Sequence, residues 1–420
     1  MNQSFEQYFM DLRDKRIAVL GLGVSNRPLV ALLLSYGCRV IGCDKTLREK
    51  LDAEVLALEK RGCELHLGEG YLDNLAADVV FRTPGMHPEN PALVALRENG
   101  AEITSEMDVF FRLCPCKIIG VTGSDGKTTT TTLIAELLKA SGKKVWLGGN
   151  IGTPLLPVCG DISEEDIAVV ELSSFQLLDM QHSPQIAVVT NLAPNHLDMH
   201  KDMDEYVQAK QNIYKFQEKG GKLILNADNA ITAAFCGKGQ TWFFSRAKKL
   251  DAGVYIEADA VCRNGKPILR CQDILLPGVH NVENYMAAIL AVEDMVEDTV
   301  IRQVAKTFGG VEHRIELVRV KDGIRFYNDS IASSPSRTMA GLRSFSKKTI
   351  LIAGGYDKQI PFDVMGPYVC RSVSRLYLNG ATAEKIREAV TPVTGIAGEK
   401  IFVAATHGHN CPSMAPESDA

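Results

Sequence analysis

A lysine and two threonines close a glycine-bearing turn, Gly120-Val121-Thr122-Gly123-Ser124-Asp125-Gly126-Lys127-Thr128-Thr129, and this stretch is the part of the chain best suited to chemistry. Glycines let backbone N–H groups approach phosphate oxygens, and a helix that starts at the turn adds partial positive charge. Lys127 would reach the outer phosphates and the Thr128 hydroxyl would ligate Mg²⁺, with Gly123, Ser124, Asp125, Gly126 and Thr129 completing the cradle. The usual spacing has glycine where Val121 stands. A capping turn would account for the glycines but not for Lys127-Thr128 at the helix entrance, so nucleotide binding is expected. Mg²⁺ asks for a further hard oxygen, and Glu171 ends the apolar run Ala168-Val169-Val170. A surface glutamate capping the next helix is the other reading of that residue. His196 follows another apolar run, Ile186–Val189, while Lys210 falls in a helical pattern where a solvated lysine is the ordinary outcome.

The elements that must position these groups read as α/β throughout. Arg16–Leu20 is a buried-type strand leading into Gly21-Leu22-Gly23-Val24-Ser25-Asn26, and Arg39–Asp44 is a second strand ending in an acid. That outlines a mononucleotide-binding half with Asp44 placed to accept from a ribose or base, although Asn26 replaces the third glycine of the dinucleotide fingerprint. Further strands are expected at 78–81, 168–170, 186–189 and 222–225, with an antiparallel appendage over 241–276. Ile324–Ser330, Thr349–Gly355 and Arg375–Gly380 predict a third α/β unit. Three consecutive α/β domains follow: 1–114, Rossmann-like; 115–310, an open sheet of P-loop ATPase type; and 311–420, Rossmann-like but altered after about residue 403.

At 420 residues with 45% hydrophobic and 23% charged positions, the composition is that of an ordinary globular protein. The N-terminus is charged, and the longest apolar stretch, 29–42, is interrupted by Arg39 and too short to span a bilayer. Eleven scattered cysteines read as reduced thiols in the cytoplasm. A net charge of −5 without a basic stripe argues against nucleic acid.

Together these motifs resemble the Mur ligases, the ATP-dependent amide-forming enzymes of peptidoglycan precursor synthesis. The resemblance rests on the Thr122–Thr129 loop, Gly148-Gly149-Asn150-Ile151-Gly152, Glu171-Leu172-Ser173-Ser174-Phe175-Gln176-Leu177 and Asn195-His196-Leu197-Asp198. It continues through Gly278–Asn284, His313-Arg314 and Asn328-Asp329-Ser330. The Glu171–Leu177 string and the Gly21–Ser25 turn look like the branch of the family that adds D-glutamate. The resemblance implies that ATP phosphorylates the alanyl carboxylate of UDP-N-acetylmuramoyl-L-alanine and that the amine of D-glutamate attacks the acyl phosphate. It implies catalytic roles for Lys127, His196 and Lys210, with one Mg²⁺ on Thr128 and Glu171 and a second on His196 and a carbamylated Lys210. Asn284 would face the adenine, Arg314 the ATP phosphates and Asp329 the ribose. Ser25, Asp44, Lys45, Thr83, Pro84 and Gly85 would hold the uridine and pyrophosphate with Asn150 nearby, and Lys358 would meet D-glutamate. It also implies a monomer in the cytoplasm, with neither membrane nor nucleic acid as partner.

The family normally ends in a strand closing on Ser-Pro, a turn with Ser and Phe, and a final helix. Residues 404–412 match none of these, so a truncated or frame-shifted end, an exposed apolar flank and a weakened amino-acid pocket are expected. His407, His409 and Cys411 offer metal-type ligands, with a disordered tail as the preferred reading. Another Mur-type ligase, or a nucleotide-binding chain that does not ligate, remain the alternatives.

Overall fold

The computed structural model describes residues 4–193, 200–332, 334–345, 347–357, 361–394 and 401–404. Contacts divide the chain into two units: residues 1–275 with 281–308, and residues 276–280 with 309–420.

The larger unit holds two sheets. Strands β1 (Arg16–Leu20), β2 (Arg39–Asp44), β3 (Glu64–Leu67), β4 (Val79–Phe81) and β5 (Glu102–Thr104) are all parallel, in the order β3-β2-β1-β4-β5. Ile17 and Val19 of β1 join one apolar cluster and Ala18 and Leu20 another. A strand covered on both faces has no need of polar alternation, which is why it reads as a continuous apolar run. The strand order turns beside β1, and such a switch point opens a crevice at the carboxyl ends.

The second sheet comprises β6 (Lys117–Thr122), β7 (Val145–Gly149), β8 (Ile167–Glu171), β9 (Ile186–Val189), β10 (Lys222–Asn226), β11 (Gln240–Ser245), β12 (Val254–Glu257), β13 (Ala260–Arg263) and β14 (Lys266–Arg270). Among the described residues its order is β14-β13-β12-β11-β10-β9-β6-β8-β7. The antiparallel appendage expected from residue 241 begins later. β11 runs parallel to β10, and β12 parallel to β11; only β12, β13 and β14 alternate. The helical turn Ala230–Ala233 carries the chain across the sheet face before β11, so the strand returns in the same direction. Tight reversals come only at Ala258-Asp259 and Asn264-Gly265, all with positive φ. One apolar cluster takes side chains from both sheets, Ile17 and Val19 of β1 with Val170 of β8 and Leu225 of β10.

In the smaller unit, β15 (Glu316–Lys321) and β16 (Ile324–Asn328) pair as an antiparallel hairpin, while β17 (Thr349–Gly354), β18 (Val373–Asn379) and β19 (Ile401–Ala404) form a parallel sheet. The stretch from Ile324 was expected within that parallel sheet. Asp322-Gly323, both at positive φ, instead make the two-residue turn that folds it back on β15. Leu342, Val369, Leu376, Leu378, Ile386 and Val390 form the core here, whereas Ile350 and Ile352 of β17 stay exposed. Among the described residues no helix is long and apolar enough to cross a membrane, and the cysteines are free thiols.

Candidate active site

The loop after β6 runs into the helix Lys127–Ala140, whose first residue follows Gly126 at φ 77°. A Cβ on Gly126 would stand 2.4 Å from the side-chain oxygen of Asn284, so both the φ and the space require glycine. Thr130 donates to that same oxygen at 3.2 Å, and Asn284 donates to Asn281 at 3.0 Å. Asn284 thus buttresses the loop from the helix Val279–Ala291. Lys127 Nζ curls onto its own loop and donates to the carbonyls of Gly123 and Ser124, each at 3.0 Å. The loop is braced from the end of β9: Thr190 Oγ1 donates to the Asp125 carbonyl at 2.6 Å, and the Ser124 N–H to the Asn191 carbonyl at 2.9 Å. Ser124 Oγ lies 2.9 Å from the Tyr206 hydroxyl, while Thr128 and Thr129 are buried in the first helical turn.

Glu171 ends β8, paired in register with Val121 of β6 on one side and Gly149 of β7 on the other. The chain passes closely here. A Cβ on Gly149, at φ 98°, would meet the Glu171 carbonyl at 2.2 Å. Asn150 donates its side-chain N–H to Glu171 Oε1 at 2.9 Å, and Glu171 Oε2 is buried without a hydrogen-bond partner. A buried carboxylate oxygen left unpaired is costly by itself and suits a cation, so this side chain is not the surface cap that its position also allowed.

Lys210 lies on the helix Met203–Lys215, started by Asp202, which accepts the Glu205 N–H at 2.8 Å. It is 1% exposed, not solvated, and Nζ donates to Thr122 Oγ1 at 2.9 Å and the Gly123 carbonyl at 3.1 Å. Burial holds its pKa well below the ordinary lysine value and the charge of Lys127 pushes the same way, with Glu171 opposing. The phosphate loop, a buried carboxylate and a buried amine therefore meet at the carboxyl ends of neighbouring parallel strands. Thr128 and Glu171 offer the hard oxygens that Mg²⁺ takes, so these residues fit that ion. Among the described residues, no three His, Cys, Asp or Glu side chains converge as metal ligands.

The first sheet gathers a second set at its own carboxyl edge. Asn26, buried where the fingerprint has glycine, donates to the Leu20 and Gly21 carbonyls at 3.1 and 2.9 Å and so ties the turn internally. Asp44 accepts the N–H groups of Leu22 at 2.7 Å and Thr46 at 2.9 Å. Burial alone would raise its pKa, but those two bonds hold it below the ordinary value. Ser25 and Lys45 are exposed at the same edge. A Cβ on Gly21 would lie 3.2 Å from that of Thr83, which puts the Thr83-Pro84-Gly85 turn over the glycine loop.

In the smaller unit, Asp329 accepts the Ile315 N–H at 3.2 Å. Burial raises its pKa, against that N–H and the charges of Arg314 and Arg337. Arg314 sits between His313 and Ile315, both at positive φ, and its Nε is buried without a partner. His196 and Lys358, and the tail residues His407, His409 and Cys411, lie outside the described residues.

The sequence reading missed several groups that the structure brings in. Thr122, Thr190 and Tyr206 hold the loop and Lys210, and hydroxyls at strand ends give little sequence signal. His200, buried, stacks on Phe175 and bonds Glu205 at 3.2 Å and Ser174 at 2.9 Å. Arg82 is 1% exposed and does have a signal, a cation directly after the apolar strand Val79-Val80-Phe81.

These features define an α/β protein with a phosphate-type loop set beside a buried carboxylate and a buried amine. A model of the Mur ligase middle domain matches residues 121–292. The UDP-N-acetylmuramoylalanine–D-glutamate ligase of Acetivibrio thermocellus is 51% identical over 406 residues, covering 95% of this chain and 87% of that one. The protein of the same name from Clostridium kluyveri is 48% identical over 392 residues, 93% of this chain and 86% of its own. Among solved structures, the UDP-N-acetylmuramate-alanine ligase of Thermotoga maritima shares the fold with a TM-score of 0.60 at 19% identity, covering 93% of this chain and 91% of that one. The chain belongs to the Mur ligase family.

Proposed function

We propose that this chain joins D-glutamate to UDP-N-acetylmuramoyl-L-alanine, the reaction for which its 48–51% identical relatives are named, and that it does so with conversion of ATP to ADP and phosphate. The observation that carries the reading is Glu171 Oε2, a buried and unpartnered carboxylate oxygen beside the phosphate loop and the Lys210 amine. The alanyl carboxylate attacks the γ-phosphorus and ADP leaves; the neutral amine of D-glutamate then attacks the acyl carbon, the C–O bond breaks with its electron pair going to the departing phosphate, and the nitrogen gives up a proton. Phosphoryl transfer needs alignment and charge neutralisation more than covalent help from the protein. The loop N–H groups and Lys127 would supply these, and Thr128 and Glu171 would hold Mg²⁺. When bound, Mg²⁺ would polarise the phosphoryl oxygens and offset charge that develops on them.

Burial lowers the pKa of Lys210 and so favours the neutral amine, the form that adds to CO₂. An N–C bond would form with release of a proton, and the resulting carbamate would offer a carboxylate-like ligand that, with His196, would hold a second Mg²⁺. Ser25, Asp44, Lys45 and the 83–85 turn take the uridine diphosphate with Asn150 nearby. Asn284 faces the adenine, Arg314 the phosphates, Asp329 the ribose, and Lys358 the incoming amino acid. The separate sheets support three domains at 1–114, 115–310 and 311–420. The protein acts as a monomer, and in the cytoplasm, which accords with the free thiols among the described residues.

The test is phosphate release from ATP with Mg²⁺ and UDP-N-acetylmuramoyl-L-alanine. Release that requires D-glutamate and not L-glutamate establishes the reaction. Binding of the UDP-sugar without release would instead mark a chain that binds its substrates and does not ligate them.

A further inference from the structure

Arg82 follows β4 directly and is buried, and each of its hydrogen bonds goes to a backbone carbonyl or to Asp179. Nη1 donates to the carbonyls of Thr83 at 3.0 Å, Pro84 at 3.4 Å and Met86 at 2.6 Å. Nε donates to Asp179 Oδ2 at 2.9 Å, and Nη2 to Asp179 Oδ1 and to the Phe175 carbonyl at 3.1 Å. A guanidinium has five N–H donors, and these contacts occupy all of them. None is left for a ligand.

What Arg82 grips on one side is the Thr83-Pro84-Gly85 turn. With the carbonyls drawn inward, and Met86 N–H closing the turn on the Thr83 carbonyl at 3.0 Å, the N–H groups of Thr83 and Gly85 have no acceptor among the described residues. Pro84 between them has no N–H, so the turn offers two separate amide donors, one on each side of the proline, to an anionic group. What it grips on the other side is the segment just after Glu171. Ser173 and Gln176 make a capping box there, Ser173 Oγ accepting the Gln176 N–H at 3.2 Å and Gln176 Oε1 the Ser173 N–H at 2.9 Å. That box stiffens the short helix Ser174–Leu177, from which the Phe175 carbonyl reaches Arg82. A second tie joins the same two regions. His87, one residue past Met86, lies 3.3 Å from Glu205, which meets His200, and His200 lies 2.9 Å from Ser174.

Taking two charges out of water gives little net stability, and an apolar side chain would fill the same volume without that cost. An apolar side chain could not hold four carbonyls and a carboxylate at once. We infer that Arg82 is a positioning residue which, through Asp179 and Phe175, fixes the diphosphate-binding turn at 83–85 relative to Glu171, setting the span between the anchored and the reacting ends of the UDP-sugar. This rests on the reading that the turn receives the UDP-sugar.

The experiment compares wild type, Arg82→Lys and Asp179→Asn by calorimetric titration with UDP-N-acetylmuramoyl-L-alanine and with ATP, by phosphate-release kinetics, and by thermal melting. Lysine keeps the charge but loses the planar fork. The expected result is a rise of about tenfold or more in Kd and KM for the UDP-sugar, a fall in kcat, and ATP affinity unchanged within about twofold. Asp179→Asn should move the same quantities in the same direction by a smaller factor. Equal losses for both ligands that track the melting temperature would reduce Arg82 to a structural ion pair and overturn the inference, as would unchanged UDP-sugar affinity. If Arg82→Lys does not fold, the half-exposed partner's variant Asp179→Asn decides alone by the same criterion. Wild type that binds no UDP-sugar would fail the functional reading itself and the inference with it, an outcome distinct from failure of the variants only.

Discussion

At the scale of single residues, the site is defined by what its polar atoms lack. Glu171 gives one carboxylate oxygen to Asn150 and keeps the other buried and unpaired. Glu171→Gln retains the shape and an acceptor for Asn150 while removing the charge. It should lower kcat by about 10²–10³, the usual effect of losing one preorganised electrostatic group, and leave the melting temperature equal or higher because an unpaired buried charge is gone. Mg²⁺-dependent phosphate release with parallel melting curves checks this; near-wild-type turnover would remove Glu171 from the metal site. Lys210 makes a second case. Burial first, and Lys127 second, lower the pKa of its amine. Phosphate release in CO₂-depleted buffer should therefore fall several-fold and recover on addition of bicarbonate, and indifference to CO₂ would refute the carbamate. The sequence pattern pointed to this lysine only through family likeness, since helical periodicity puts a lysine in water. What it could not show is that residues from β6 close over Nζ.

At the scale of elements, the strands that were easiest to read are those buried on both faces. Arg16–Leu20 and Arg39–Asp44 have the bounds expected from the sequence, because an uninterrupted apolar run has one solution in a parallel sheet. Pairing partners were less legible. The direction of β11 depends on the Ala230–Ala233 crossover, four residues long, and the Asp322-Gly323 signal for the β15–β16 hairpin went unread. Helix Glu106–Leu113 adds a pH-dependent contact. Glu106 accepts the Leu156 N–H at 2.8 Å, and burial pushes its pKa from 4.5 up to about 7 against that N–H and the N–H of Leu155. A carboxyl raised in the folded state contributes stability that is full below about pH 4.5 and is lost as pH rises through about 7. Glu106→Gln should accordingly stabilise the protein at pH 8 by roughly 1–2 kcal/mol and make little difference at pH 4.5. Denaturant titrations at the two pH values test the sign; an equal effect at both would contradict it.

At the scale of the whole molecule, two units with separate cores should melt as two events. The Thr83-Pro84-Gly85 turn, proposed to take the diphosphate, and the phosphate loop belong to the larger unit. The UDP-sugar at about 100 times its Kd should therefore raise that unit's transition by the equivalent of about 2.7 kcal/mol and leave the other in place. Scanning calorimetry with and without the UDP-sugar reads this directly, and a shift of both transitions together would show that the units do not unfold independently. The larger unit is also discontinuous in sequence, since residues 281–308 return to it after the excursion at 276–280. Thr130 and Asn284, joined at the foot of the phosphate loop, are 154 positions apart. On a ribosome adding 5–20 residues per second, roughly 8 to 30 s separate their synthesis. For that interval the nascent chain carries a nucleotide loop without its buttress, so competence to grip phosphate arrives late in translation, after the first sheet has all the residues it needs to fold.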